Sequence, residues 1–113
     1  MAETHEIKRY TYYVFSSRNT LSDSTLLFYD ASNSYIGGAF FYETTDQLPP
    51  AEKFPSGVIG LSFHRTDLPT LIDVLRNESP VYLIYDGPLN SRISTSQEPV
   101  GEYEAAILAA ASP

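Results

Sequence analysis

The chain of 113 residues contains no cysteine and no tryptophan, and it has only two histidines. The lack of cysteine excludes disulfides, thiolate nucleophiles and cysteine-ligated zinc or iron sites. Two histidines leave little material for any other metal site, so we predict neither a metal nor a cofactor. A composition without cysteine suits a reducing compartment, and we expect the protein in the cytoplasm.

Long apolar runs and an excess of positive charge are also missing. The first residues, MAETHEIKRY, lack the apolar core of a signal peptide, and no later stretch approaches the roughly 20 apolar residues of a membrane span. Acidic residues outnumber basic residues 14 to 7, which gives a formal net charge of -7. A negative chain repels phosphate backbones and anionic lipid, so we expect no membrane contact and consider nucleic acid an unfavourable partner.

The chain does contain many segments with the period-two alternation of β-strands. We predict one domain over residues 1–113, with residues 1–8 and about 103–113 peripheral or flexible. Six strands are predicted at 9–17, 26–30, 35–45, 58–64, 81–85 and 91–97. The second and third form a hairpin with Asn33 in a left-handed turn, and the proline-rich segment 46–57 is a surface loop outside the sheet.

One segment changes to helical periodicity. Its apolar stripe recurs at positions i, i+3, i+4 and i+7, in Leu68, Leu71, Ile72 and Leu75. Thr66 or Asp67 is predicted to cap the start of the helix, Pro69 fits its first turn, and the helix ends at Asn77 before Pro80. Acidic residues followed by alanines also predict a short C-terminal helix from Glu102 to about Ala110.

These elements predict an α+β fold. We expect a twisted, mainly antiparallel sheet in the order ββββαββ, with the helix packed on one face. The predicted core includes Phe15, Phe28, Phe40 and Phe63, together with Ile59 and Leu61. Gly37 and Gly38 lie inside an aromatic strand and predict a bulge, a bend, or the close approach of a ligand or another backbone.

The segment SFHRTDLPTLIDVL places His64, Arg65 and Asp67 within four positions. A hydrolase would need His64 between a nucleophile and an orienting acid, whereas Asp67 is placed better to cap the helix. Arg65 is a candidate for clasping an anion at the helix start. We interpret the cluster as the joint between a strand and a helix and keep an enzyme that uses His64 as an alternative.

The nine tyrosines suggest a contact surface, because tyrosine combines a large, stiff ring with a polar tip. Ordinary amphipathic strands with tyrosine hydroxyls in water are the competing interpretation. We predict a non-catalytic binding or accessory protein whose tyrosine-rich sheet face mediates self-association or binds another protein, a sugar or a base. The candidate contact residues are Tyr12, Tyr29, Tyr42, Tyr82, Tyr85, His64 and Arg65.

The order of four strands and a helix, ending in GVIGLSFHRTDLPTLIDVL, resembles the small single-stranded-DNA-binding domains of the Whirly and positive-cofactor-four type. That resemblance covers Tyr10 to Asn77 in element order only. It implies a curved sheet on which Tyr12, Tyr29 and Tyr42 would stack bases, although this chain lacks the basic residues of that family and adds two strands. Weak binding of single-stranded nucleic acid is therefore a second alternative function.

Overall fold

The computed structural model describes residues 2–16, 24–43 and 47–96, and within them the chain has an α+β fold with mostly antiparallel sheets and one main helix. The predicted fold class is confirmed. The strands are β1 Glu3–Ile7, β2 Arg9–Val14, β3 Ser24–Tyr29, β4 Tyr35–Tyr42, β5 Glu52–Lys53, β6 Ile59–His64, β7 Val81–Tyr85 and β8 Arg92–Thr95. The main helix is α1 Leu68–Asn77, and a single turn, α2 Gly87–Asn90, precedes β8. The predicted C-terminal helix lies outside the described residues.

The strands form two sheets that share one core. The smaller has the antiparallel order β1-β7-β8, and the larger has the order β2-β3-β4-β6-β5, in which only β4 and β6 are parallel. Lys8 alone separates β1 from β2, so one extended segment leaves the small sheet and enters the large one. Leu83 of β7 reaches Gly37 of β4, which shows that the small sheet packs against the large one.

Two strands appear that the sequence did not predict. The first, β1, lies in the segment predicted to be peripheral and forms an edge of the small sheet, with Ile7 buried against Val81. The second, β5, lies in the proline-rich segment, where the prediction of a loop wholly outside the sheet is wrong. Glu52 and Lys53 fall between Pro50 and Pro55 and keep their N–H donors, so these two residues can pair with β6.

The helix α1 has the predicted bounds but begins differently. Leu71 is buried, and Leu68, Ile72 and Leu75 pack partly buried against the core, as the stripe predicted. Asp67 occupies the predicted N-cap position, at the end of a 3-10 turn, Arg65–Asp67, that leads into the helix. The prediction of a capping hydrogen bond from this side chain is wrong. Asp67 already has helical dihedrals, φ -85° and ψ -9°, and its side chain makes no capping hydrogen bond.

The hairpin between β3 and β4 contains the predicted turn. Asn33 has φ 63°, and the Asp30 carboxylate accepts hydrogen bonds from the backbone N–H groups of Ser32 and Ser34, each at 2.9 Å. Phe28 pairs with Gly37 and Tyr29 pairs with Tyr35, so the register shifts and leaves a bulge directly before the glycine pair. The predicted bulge is confirmed.

The inner face of the large sheet is the centre of the core. Paired residues of neighbouring strands point to the same side, and the row Leu26, Ala39 and Leu61 is buried. Phe41 and Phe63 stack on this face, with ring centroids 5.7 Å apart. Phe28 and Phe63 thus take their predicted places, whereas the prediction of Phe15 and Phe40 as core is wrong, because alternation puts both on the other face.

Candidate contact surface

The outer face of the large sheet carries a group of aromatic rings, which we call the outer aromatic face. Alternation along β2, β3 and β4 turns these side chains away from the core, and a ring from the segment after β5 joins them. The outer aromatic face consists of Tyr13, Phe15, Tyr29, Tyr35, Phe40, Tyr42 and Phe54.

The rings contact one another in small groups. Tyr13 and Phe15 stack with centroids 6.4 Å apart and an interplanar angle of 23°. Tyr29 and Tyr35, which face each other across β3 and β4, lie 6.1 Å apart and are tilted by 48°. Thr11 donates a long hydrogen bond of 3.5 Å to the Tyr29 hydroxyl. The neighbouring rings restrict one another, which favours a stiff surface.

Gly60 forms part of the floor of this surface. A Cβ atom at Gly60 would lie 3.2 Å from the ring of Phe54, which is a tight contact, and 3.5 Å from that of Phe40, which is an ordinary one. Phe54 therefore lies over β6, although it belongs to a loop. The result is a surface that extends from β2 to β6.

These rings remain accessible because the helix and the small sheet pack on the opposite face. The exposed fractions are 44% for Tyr13, 47% for Phe15, 44% for Tyr35 and 40% for Phe54. Tyr29, Phe40 and Tyr42 are half-buried. Four large, exposed rings therefore lie on the outer face of the large sheet.

The charged residues around the outer aromatic face are few and of both signs. Arg9 is opposite Tyr29, and Glu52 is opposite Gly60 at the other side of the sheet. Near Tyr42, the Arg65 guanidinium contacts the Glu43 carboxylate at 2.5 Å. Burial raises the pKa of Tyr35, and the neighbouring Tyr29 adds to this effect. The ring of Tyr35 therefore stays neutral above the pH at which a free tyrosine ionises.

The structure divides the predicted contact residues between several surfaces. Tyr29 and Tyr42 belong to the outer aromatic face, and His64 is paired beside Tyr42. Arg65 lies in the 3-10 turn that follows. Tyr12 is on the inner side of β2, where it lines an open cavity of about 510 Å³ with Leu68, Pro69 and Ile72.

The remaining two tyrosines belong to the small sheet. Tyr82 is on its outer surface opposite Glu6, and Tyr85 packs partly buried against the core. Sequence reasoning missed Tyr13, Phe15, Tyr35, Phe40 and Phe54. The signal for the first four was the same alternation that placed Tyr12, but the sequence alone did not show which face the helix would cover.

Asp67 and His64 lie in different surroundings. Asp67 lines a cavity of about 380 Å³ between α1 and β8, together with Phe63, Thr70 and Arg92, and His64 is not among the residues that line it. His64 points to the outer side of the sheet, beside Tyr42.

Residues 2–16, 24–43 and 47–96 contain no group of three histidine, cysteine, aspartate or glutamate side chains arranged to hold a metal ion. Within the same ranges, no helix has the length and apolar character needed to span a bilayer.

Comparisons with known proteins found no matching family model, no matching curated protein and no matching solved structure. The structure also changes the basis of the resemblance noted above, because six strands precede the helix instead of four. Function must therefore be argued from the surface itself.

Proposed function

We propose that this chain is a small, acidic, non-catalytic binding protein whose outer aromatic face contacts another protein, and that a second copy of the chain is its first partner. The cytoplasmic location predicted from the composition is part of this proposal. The observation that carries it is the concentration of exposed rings on the outer face of the large sheet, which neither the helix nor the small sheet covers in the described part of the chain.

Aromatic side chains suit protein interfaces because they bury a large area with few rotatable bonds. On this face the rings also contact each other, as in the pairs Tyr13–Phe15 and Tyr29–Tyr35. A partner would therefore meet side chains that lose little conformational freedom on binding. When no partner is bound, the tyrosine hydroxyl groups of this surface contact water, which allows the protein to stay in solution alone.

Single-stranded nucleic acid is the alternative partner, since exposed rings can stack on bases. Such binding also needs cations that neutralise phosphates, and it is strongly salt-dependent for that reason. The described cations near this face are Arg9, which is opposite Tyr29, and Arg65, which lies in the 3-10 turn beyond β6 and contacts Glu43. With a net charge of -7, the chain is better suited to a protein partner than to a polyanion.

The enzyme alternative relies on His64. The described geometry gives that imidazole a place beside Tyr42 on an open sheet face, whereas a hydrolase needs an enclosed constellation of nucleophile, base and orienting acid. The arrangement favours binding over catalysis.

Sizing chromatography with light scattering, over a range of protein concentrations, tests the proposal. We expect a dimer for the unmodified chain and a lower mass for Tyr13→Glu, because a carboxylate within the contact would lose its hydration. Tyr82→Glu is the matched control, since Tyr82 is on the outer surface of the small sheet. A monomer for the unmodified chain at every concentration would overturn self-association.

The same sample, titrated against a labelled single-stranded oligonucleotide at low salt, separates the nucleic-acid alternative. We expect no retardation of the oligonucleotide. Retardation that weakens steeply with added salt would replace the proposed protein partner with nucleic acid.

A further inference from the structure

The two edge strands of the large sheet differ in how well they are protected against pairing with another chain. β5 is an edge of the large sheet, but it has only two residues, both charged, and prolines stand near each end. β2 is the opposite edge and has six residues. Among the residues that the structure describes, β2 pairs only with β3.

Apart from Arg9 at its start, β2 lacks the charges, prolines and bulges that usually block an edge strand. It pairs with β3 residue for residue from Arg9 to Val14, so no bulge twists it away. From Tyr10 to Phe15 the sequence YTYYVF has no charge, no proline and no glycine. Long, regular, uncharged edges of this kind are templates for a further strand.

The exposed apolar residues of β2 point to both sides of the sheet. Tyr13 and Phe15 belong to the outer aromatic face, whereas Tyr12 and Val14 point to the inner side and are 44% and 67% exposed. A partner resting on the outer face alone would leave Tyr12 and Val14 in water. A strand added alongside β2 places side chains on both sides of the sheet, and so covers all four residues.

The occupant that we commit to is a second copy of the chain. The chain has 14 acidic residues, yet residues 10–15 carry no charge of either sign. Two copies with a net charge of -7 can therefore meet along this strand without bringing like charges together, whereas contact between acidic parts of their surfaces would be repulsive. An antiparallel pair of identical strands also satisfies two-fold symmetry, which is the commonest symmetry of homodimers.

We infer that two copies of this chain pair antiparallel along β2, so that their two five-stranded sheets become one continuous sheet of ten strands. This inference rests on the proposed function and specifies where self-association occurs. The two outer aromatic faces then join in one extended surface.

Val14→Lys tests the inference, because Val14 lies on β2 but not on the outer aromatic face. We expect the dissociation constant of the dimer to rise at least about tenfold, since a charged side chain on an edge strand opposes the addition of another strand. Leu89→Lys is the matched control: it makes the same kind of change at a residue that is 92% exposed on α2. Circular dichroism of each variant verifies that the fold is retained.

Hydrogen exchange of the unmodified chain gives a second measurement that needs no variant. We expect the amides of residues 10–15 to exchange at least about tenfold more slowly in a concentrated sample than in a dilute one, with no such change in β5.

The outcomes separate the two proposals. If Tyr13→Glu and Val14→Lys each lose the dimer and exchange in β2 is slowed, the result supports the outer aromatic face as a contact and also strand pairing along β2. Loss in Tyr13→Glu alone, with unchanged β2 exchange, leaves the outer aromatic face as the contact and overturns strand pairing. A monomeric unmodified chain at every concentration overturns strand pairing between copies, together with the self-association part of the proposed function.

Discussion

The two faces of the large sheet are both hydrophobic, yet only one of them forms a core. The inner face is buried beneath the helix and the small sheet, and its Leu26, Phe28 and Phe41 have no exposed surface. The outer face has as many large rings, but Tyr13 and Tyr35 remain 44% exposed. The difference shows that hydrophobicity alone does not make a core; a second layer must cover the face.

Substituting two neighbouring phenylalanines in β4 gives the sharpest test of this difference. Phe41 is fully buried on the inner face, and Phe40 is half-buried on the outer face. Phe41→Ala should lower the free energy of unfolding by about 3 to 5 kcal/mol, because it leaves a cavity. Phe40→Ala should cost about 1 kcal/mol or less. Urea denaturation measures both values, and equal losses would contradict the assignment of the two faces.

Two glycines provide a second comparison of the faces. A Cβ atom at Gly37 would collide with the Ile59 carbonyl oxygen and lie 2.6 Å from Leu83 Cδ2, where the two sheets pack together. At Gly60 the nearest obstacle is the ring of Phe54, on a loop that can move. We expect Gly37→Ala to destabilise the protein by about 2 to 3 kcal/mol and Gly60→Ala by less than about 1 kcal/mol.

Thermal unfolding of both alanine variants would check that order. If Gly60→Ala were the more damaging, the outer face would have to be packed more tightly than the inner one. That result would also mean that the Phe54 ring cannot shift to make room for a Cβ atom at position 60.

The smallest expected effect concerns the polar rim of the inner face. Glu3 of β1 forms an ion pair with Lys53 of β5 and contacts His5 at 3.3 Å. The hydrogen bond from Lys53 lowers the pKa of Glu3, and the contact with His5 lowers it further. A carboxyl group whose pKa is lower in the folded state stabilises the protein above its unfolded pKa of about 4.3, and this contribution is lost as the pH falls through the folded pKa.

Glu3→Gln should therefore lower the melting temperature slightly at pH 7, and the difference from the unmodified chain should shrink as the pH falls below about 4. Melting curves at several pH values measure it. Glu52→Gln, on the neighbouring position of β5, is the control and should show no such trend. A difference that stays constant from pH 7 to pH 3 would mean that the Glu3 charge is not involved.

Part of this structure follows from local sequence patterns. The spacing of Leu68, Leu71, Ile72 and Leu75 predicts the helix with its observed bounds, because a helical stripe specifies its own period. β1 and β5, the two strands that were not predicted, have no comparable periodic pattern of apolar residues. β1 has only Ile7 as a buried apolar residue, and β5 has two charged residues, so their pairing depends on the strands beside them.

The candidate surface was predicted only in part, for a related reason. Alternation assigns Tyr12 and Tyr13 to opposite sides of β2 but does not say which side faces the helix. Tyr29 and Tyr42 lie on the same outer face, whereas Tyr12 and Tyr85 belong to inner sides. The contribution of Phe54 arises from the close approach of a loop to Gly60, a contact between residues on different strands and loops.

The sequence by itself determined the periodicities: where α1 and the strands other than β1 and β5 lie, which side chains share a side, and where acidic residues are absent. These are properties of neighbouring residues, because backbone geometry repeats over two or about four positions. Only the tertiary structure decided which side of the large sheet became the core, since that choice depends on the layer that packs against it. It also decided that β2 would be an edge, because strand order is set by contacts between distant parts of the chain.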